Sequence, residues 1–167
     1  MKRLVICRHA KSAWDNPFLS DHQRPLAPRG LKDAPEMAKR LKKRGIYPDV
    51  ILTSNALRAL QTAQITADEL GIGEEKIVIT DQLYHAGSRS ILIQLRHSSP
   101  DVDTLFIFGH NPAFNDLIEA LGQPIENLPT CGQYGVIFEV EKWEEIGAEN
   151  ARFWFFDYPK SEFPDIQ

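Results

Sequence analysis

Four short apolar runs recur along the chain, each followed by a segment of helical periodicity, and this alternation limits the fold more than any other feature. The first run, Leu4-Val5-Ile6-Cys7, leads without interruption into Arg8, His9 and Ala10. Asp49–Ser54, Lys76–Ile79 and Thr104–Phe108 repeat the pattern. Runs this short and this continuously apolar read as strands buried on both faces, as in a parallel sheet. Between them, Pro28–Lys43 carries Leu31, Ala34, Ala38 and Leu41 at helical spacing and stops at Gly45. Pro35 either kinks this helix or delays its start to a cap at Asp33. Ala56–Leu70 sets Ala56, Ala59, Leu60, Ala63, Ala67 and Leu70 on one helical face, and Ser88–His97 predicts a third helix. A fourth follows Gly109-His110-Asn111-Pro112, with Asn111 as cap, Pro112 in the first turn, and Phe114, Leu117, Ile118 and Leu121 turned inward.

This order implies an α/β fold of three layers: a mostly parallel central sheet with helices on both faces. Tyr134–Glu141 and Arg152–Tyr158 read as a hairpin-like pair of strands added to one sheet edge near the C-terminus. Residues 159–167, which include Pro159 and Pro164, read as a tail. No repeat or linker divides the chain, so residues 1–167 are expected to form a single domain, and 167 residues suffice for a core without staples.

A net charge of -4 gives no broad basic surface for nucleic acid or anionic lipid. The basic start Met1-Lys2-Arg3 precedes an apolar run of four residues, too short for the core of a signal peptide, and nothing later reaches membrane-spanning length. Cys7 and Cys131 have no metal or redox spacing and read as reduced packing residues. The expected location is the cytoplasm.

Parallel strands point their carboxyl ends the same way, and ligands of such sheets collect beyond those ends. Arg8-His9, Ser54 with Arg58, and Gly109-His110 should therefore meet in one crevice. Arg58 falls in the first turn of its helix, where unpaired amides and the positive end of the dipole favour an anion. The polar stretch 11–27, long for a loop after a buried strand, is expected at the rim. Two histidines and two arginines among helix N-termini suit a phosphate. There is no serine nucleophile elbow, no Walker-type loop, no arginine six residues after either cysteine, and no paired metal-ligand spacing among the five histidines. A histidine nucleophile remains: a neutral imidazole attacks phosphorus, and water later hydrolyses the phosphohistidine. Gly109 would let the backbone approach the substrate closely.

Arg8-His9-Ala10, Ser54-x-x-x-Arg58-x-x-Gln61-Thr62 and Gly109-His110 resemble the three signature stretches of the histidine phosphatase superfamily, which includes the phosphoglycerate mutases. Arg24-Pro25-Leu26 with Gly30, and the lack of large insertions, resemble its SixA-type phosphohistidine phosphatases. The resemblance implies a phosphoglycerate mutase-like fold, a phosphatase that needs no cofactor or metal, His9 as nucleophile, Arg8 and Arg58 on the phosphoryl oxygens, and a hydrogen bond from His110. Arg24 would be a fourth phosphate contact.

Three departures bear on this. Ala10 stands where many members have glycine. Asp15 stands where mutase-like members have asparagine, so either Asp15 turns away or Asn16 takes its place. The segment Gln82–Gly87 lacks the glutamate that serves as general acid in mutase-like members; Asp81 is near it and His85 is an available substitute. An alkoxide needs such an acid, whereas the imidazole of a phosphohistidine leaves with less help. The implied partner is a phosphohistidine-bearing protein, for instance a histidine phosphotransfer domain. A small-molecule phosphomonoesterase or mutase is the alternative, and a non-catalytic phosphate-binding module a third reading. His22 and His97 are expected at the surface.

Overall fold

In the computed structural model, which describes residues 1–162, six strands form one sheet. They are β1 (Lys2–Arg8), β2 (Val50–Ser54), β3 (Ile77–Thr80), β4 (Thr104–Gly109), β5 (Gln133–Phe138) and β6 (Ala151–Asp157), in the order β3-β2-β4-β1-β5-β6. The first four are parallel, while β5 pairs antiparallel with both β1 and β6. Four helices connect them: α1 (Pro28–Lys43), α2 (Leu57–Leu70), α3 (Ser88–Arg96) and α4 (Ala113–Ala120).

Alternation along β1 separates the two faces. Leu4 and Ile6 pack with Leu105, Ile107, Phe114, Leu117 and Ile118 on one side, and Val5 and Cys7 with Phe106, Phe108, Leu41 and Ala63 on the other. The α3/α4 layer thus lies opposite the α1/α2 layer, as expected of three layers. The β5–β6 pair lies beside β1, where Phe155 and Trp154 extend the α1/α2 side. Its connection holds the fully buried Trp143, whose indole Nε1 donates to the carbonyl of Val102 at 2.6 Å.

α1 begins at Pro28 and continues past Pro35, so the later start at Asp33 does not occur. Ala34, Met37, Ala38 and Leu41 are all buried, and that packing outweighs one missing backbone donor. Leu31, read as part of the inner face, is instead 52% exposed. At the helix end Arg40 reaches Asp157 of β6 at 2.9 Å and the carbonyl oxygens of Tyr158 and Pro159 at 3.0 and 3.3 Å. The start of the expected tail is therefore anchored through Ser161, which also bonds Asp157; residues 163–167 lie outside the described residues. Cys7 and Cys131 are buried free thiols, and burial pushes Cys131 up to about 12. No described helix is long and apolar enough to cross a membrane.

Candidate active site

The register of β1 against β4 sets Arg8 beside Gly109, which delivers His9 and His110 to the same edge of the sheet. Their ring centroids are 5.3 Å apart. The His9 backbone is clamped from both sides: its amide donates to the Gly109 carbonyl at 3.0 Å, and its own carbonyl accepts from Cys131 at 2.9 Å. Next to it the Ala10 amide donates to the Thr62 hydroxyl at 3.0 Å, and Gln61 of the same helix accepts from Leu26 at 2.8 Å. Gln61 and Thr62 therefore fasten α2 to the two chain segments that carry His9 and Arg24.

The His9 Nδ1 lies 2.7 Å from the carbonyl oxygen of Ala10. A carbonyl only accepts, so Nδ1 carries the hydrogen and Nε2 keeps its lone pair. Burial lowers the imidazole to about 4, with the cations Arg58, Arg8 and Arg24 adding to the effect and the Ala10 carbonyl opposing it. His9 is thus a neutral imidazole at pH 7. His110 is lowered to about 3, first by burial and then by His9 and Arg58. Its Nε2 pairs with the Ser54 hydroxyl at 2.8 Å.

Three buried nitrogens here have no partner among the described residues: Nδ1 of His110 and Nε of Arg8 and Arg58. Unpaired buried donors cost free energy unless something fills the space they face. Arg8 is steadied by the Leu128 carbonyl at 3.0 Å, and burial and then the Arg58 cation lower its proton affinity. Leu128 is held in turn by Asn111 and Asn115, at 3.0 and 2.8 Å. α4 starts at Ala113 with Pro112 as its N-cap, one residue later than the cap expected at Asn111, whose side-chain oxygen accepts from the Asn115 amide at 3.1 Å.

Asp21 is the organiser that the sequence reading did not find. Its Oδ1 accepts from Arg24 at 2.8 and 3.2 Å, and its Oδ2 from Arg58 at 3.1 Å and the Tyr84 hydroxyl at 2.6 Å. Arg58 also donates to the Asp21 backbone carbonyl at 2.8 Å. Tyr84 first, then Arg24 and Arg58, hold the Asp21 carboxyl well below the usual carboxylate range. Arg24 is buried, bonded to Ser12 at 2.7 Å, and its guanidinium lies 3.4 Å over the Trp14 ring. The only sequence signal for Asp21 was its place in the 11–27 stretch, which folds back through the Ser12–Leu26 bridge to reach α2.

Several finer expectations change. Gly109 also makes room for the Phe114 ring, since a Cβ there would lie 2.6 Å from Cζ. His97 is exposed as expected, but His22 is half-buried, bonded to Asn55 at 2.9 Å and edge-on to Tyr84 at 4.9 Å. The fold-back of the 11–27 stretch takes it off the open surface. Asn16 spends its side-chain oxygen on the Phe18 amide at 3.0 Å, and Asp15 is exposed. A cleft of about 310 Å³ opens beside the histidine pair, lined by Arg58, Tyr84, His85, His110 and Asp116 among others. Asp116, from the first turn of α4, is the carboxylate that lines it, not Asp81. A larger hollow of about 670 Å³, between Arg3, Arg44, Tyr47 and Trp154, lies at the opposite ends of the strands, away from this chemistry. Among the described residues no group of three or more His, Cys, Asp or Glu is arranged to hold a metal ion.

A sequence profile of the histidine phosphatase superfamily (branch 1) matches residues 4–85. An uncharacterized protein of Mycobacterium tuberculosis is 34% identical over 164 residues, covering 92% of this chain and 99% of its own. The chain belongs to the histidine phosphatase superfamily. An uncharacterized chloroplastic protein of Arabidopsis thaliana is 31% identical over 155 residues, or 88% of this chain and 71% of that one. Among solved structures, one assigned as the phosphohistidine phosphatase SixA of Agrobacterium tumefaciens superposes with a TM-score of 0.80 at 28% identity, covering 95% of this chain and 98% of that one. This histidine phosphatase is a member of the SixA branch.

Proposed function

We propose that the chain hydrolyses phosphohistidine on a protein substrate, with His9 as nucleophile. One observation carries the reading: a buried, neutral His9 whose Nδ1–H is committed to the Ala10 carbonyl offers its Nε2 lone pair beside the unpartnered nitrogens of Arg8, Arg58 and His110. Nε2 attacks phosphorus, the P–N bond of the substrate breaks, and the phosphoryl group moves to His9. Arg8 and Arg58 stabilise the charge on the equatorial oxygens, and His110 donates from Nδ1 while its Nε2 accepts from Ser54. Arg24 acts as a fourth phosphate contact and third cation, held by Asp21. Water then attacks the phosphoryl group on His9, releasing phosphate and restoring the imidazole, which still keeps its hydrogen on Nδ1.

The preference for a P–N bond rests on the leaving group. A phosphohistidine protonated on its other ring nitrogen departs as neutral imidazole, whereas an alkoxide must receive a proton. Asp21, the carboxylate among the arginines, is kept ionised by Tyr84, Arg24 and Arg58 and has no proton to give at neutral pH. The similarity to a SixA-assigned structure supports the same substrate class. A phosphomonoesterase reading would draw on Asp116 and His85, which line the cleft.

The test is turnover without added metal on a chemically phosphorylated histidine phosphotransfer domain and, in parallel, on alkyl phosphate esters. Cleavage of the P–N substrate at least a hundredfold faster, with acid-labile phosphate trapped on His9 and lost in His9→Ala, is expected. Faster ester cleavage would replace this reading with the esterase one.

A further inference from the structure

Trp14 and Phe18 are the most exposed large apolar side chains among the described residues, at 71% and 95%. Both stand on one loop, and that loop is not slack. The Ser12–Leu26 bridge and the bonds from Ala13 to the Pro25 carbonyl and from Ala27 to the Lys11 carbonyl, each 2.8 Å, close its base. Asn16 turns its tip by accepting from the Phe18 amide at 3.0 Å, and the Leu19 amide returns to the Asn16 carbonyl at 3.3 Å. Gln23 and Ser20 bond one another and fix the exit. An exposed aromatic held in place by its backbone, with no core of its own, wants a partner surface.

What that surface is follows from where the loop is rooted. The same segment supplies Asp21, which grips Arg58, and Arg24, whose guanidinium is stacked on Trp14. The apolar tip is thus continuous with the arginine cluster. A small phosphorylated molecule seated on those arginines would leave a 95% exposed phenyl ring in water. A protein presenting a phosphorylated side chain would cover it. The loop meets the cleft through Asp21, which accepts from Tyr84, and the cleft itself carries half-buried Tyr84 and exposed His85 and Pro112.

We propose that Trp14 and Phe18 form a docking rim for a protein substrate, seated against the apolar surface that surrounds its phosphohistidine. This rests on the P–N phosphatase reading above and adds the surface by which the enzyme selects a protein over a free phosphoramidate. Aromatic side chains at the edge of a site are typical anchors of such contacts, and the tip presents two at low conformational cost.

Phe18→Ser is the variant to make, because Phe18 touches none of the phosphate-binding groups. kcat/KM is measured on a phosphorylated histidine phosphotransfer domain and on free phosphohistidine, with Phe18→Leu as the conservative control. On the protein, Phe18→Ser is expected to lose about tenfold, mainly through KM, and Phe18→Leu to recover most of it; on free phosphohistidine both should match the parent within about twofold. Equal rates for parent and Phe18→Ser on the protein, or equal losses on both substrates, would overturn the docking rim while leaving the phosphatase reading in place. A parent enzyme inactive on both P–N substrates would remove both.

Discussion

Acid is the perturbation that most directly tests the state of the histidine pair. In the unfolded chain His9 has an ordinary value of 6.5; in the fold, burial and three neighbouring arginines lower it to about 4. Above pH 6.5 the imidazole is neutral in both states and contributes nothing to the pH dependence. As the pH falls below 6.5 the unfolded chain takes up a proton that the folded one refuses until about pH 4, so stability is lost across that window. The drop corresponds to about 3 kcal/mol between pH 7 and pH 4 from His9 alone. His110, lowered to about 3, extends the loss to lower pH, and the two rings, 5.3 Å apart, titrate as a pair. Urea unfolding at pH 7 and pH 4 reads the difference, with His9→Gln as the reference that cannot titrate. The parent should lose about 3 kcal/mol more than the variant over this interval. An NMR titration of the imidazoles in the folded protein should place neither ring near 6.5. A His9 that titrates at its ordinary value, or a variant with the same acid sensitivity as the parent, would refute the buried neutral nucleophile.

Two further substitutions probe the machinery and its packing. If Arg58 stabilises the developing phosphoryl charge as proposed, Arg58→Ala should lower kcat/KM by about 10²-fold or more in a steady-state assay; unchanged kinetics would take Arg58 out of the site. Gly109→Ala sets a Cβ against the Phe114 ring and should cost about 1–3 kcal/mol in urea melts, partly recovered when Phe114→Leu is combined with it. A Gly109→Ala protein of parental stability would refute the packing role of the glycine.

The elements that were legible in the sequence are those whose signal is local. The end of the helix over Pro28–Lys43 and both ends of α2 are legible to within one residue, because apolar spacing and a following glycine are properties of neighbouring positions. Pro35 left two readings open, since the cost of a proline is local but the burial of Ala34, Met37 and Ala38 that overrides it belongs to contacts with other elements. The packing role of Gly109 is hidden in the sequence for the same reason: its neighbour is Phe114, which reaches it only once α4 folds back over the strand end.

For the site, the pattern along the chain already fixes which residues reach the sheet edge. Arg8, His9, Arg58 and His110 each follow a buried strand, and parallel strands must end together. It did not determine protonation or pairing. That Nδ1 of His9 is the protonated nitrogen depends on the Ala10 carbonyl at 2.7 Å, and its lowered proton affinity on burial that no single segment specifies. Asp21 lies 37 residues from Arg58 and 63 from Tyr84, and no spacing rule links them; their contact arises when the 11–27 stretch closes over α2. Patterns along a chain encode backbone form, whereas charge and proton placement depend on distances between segments, and only the tertiary structure sets those.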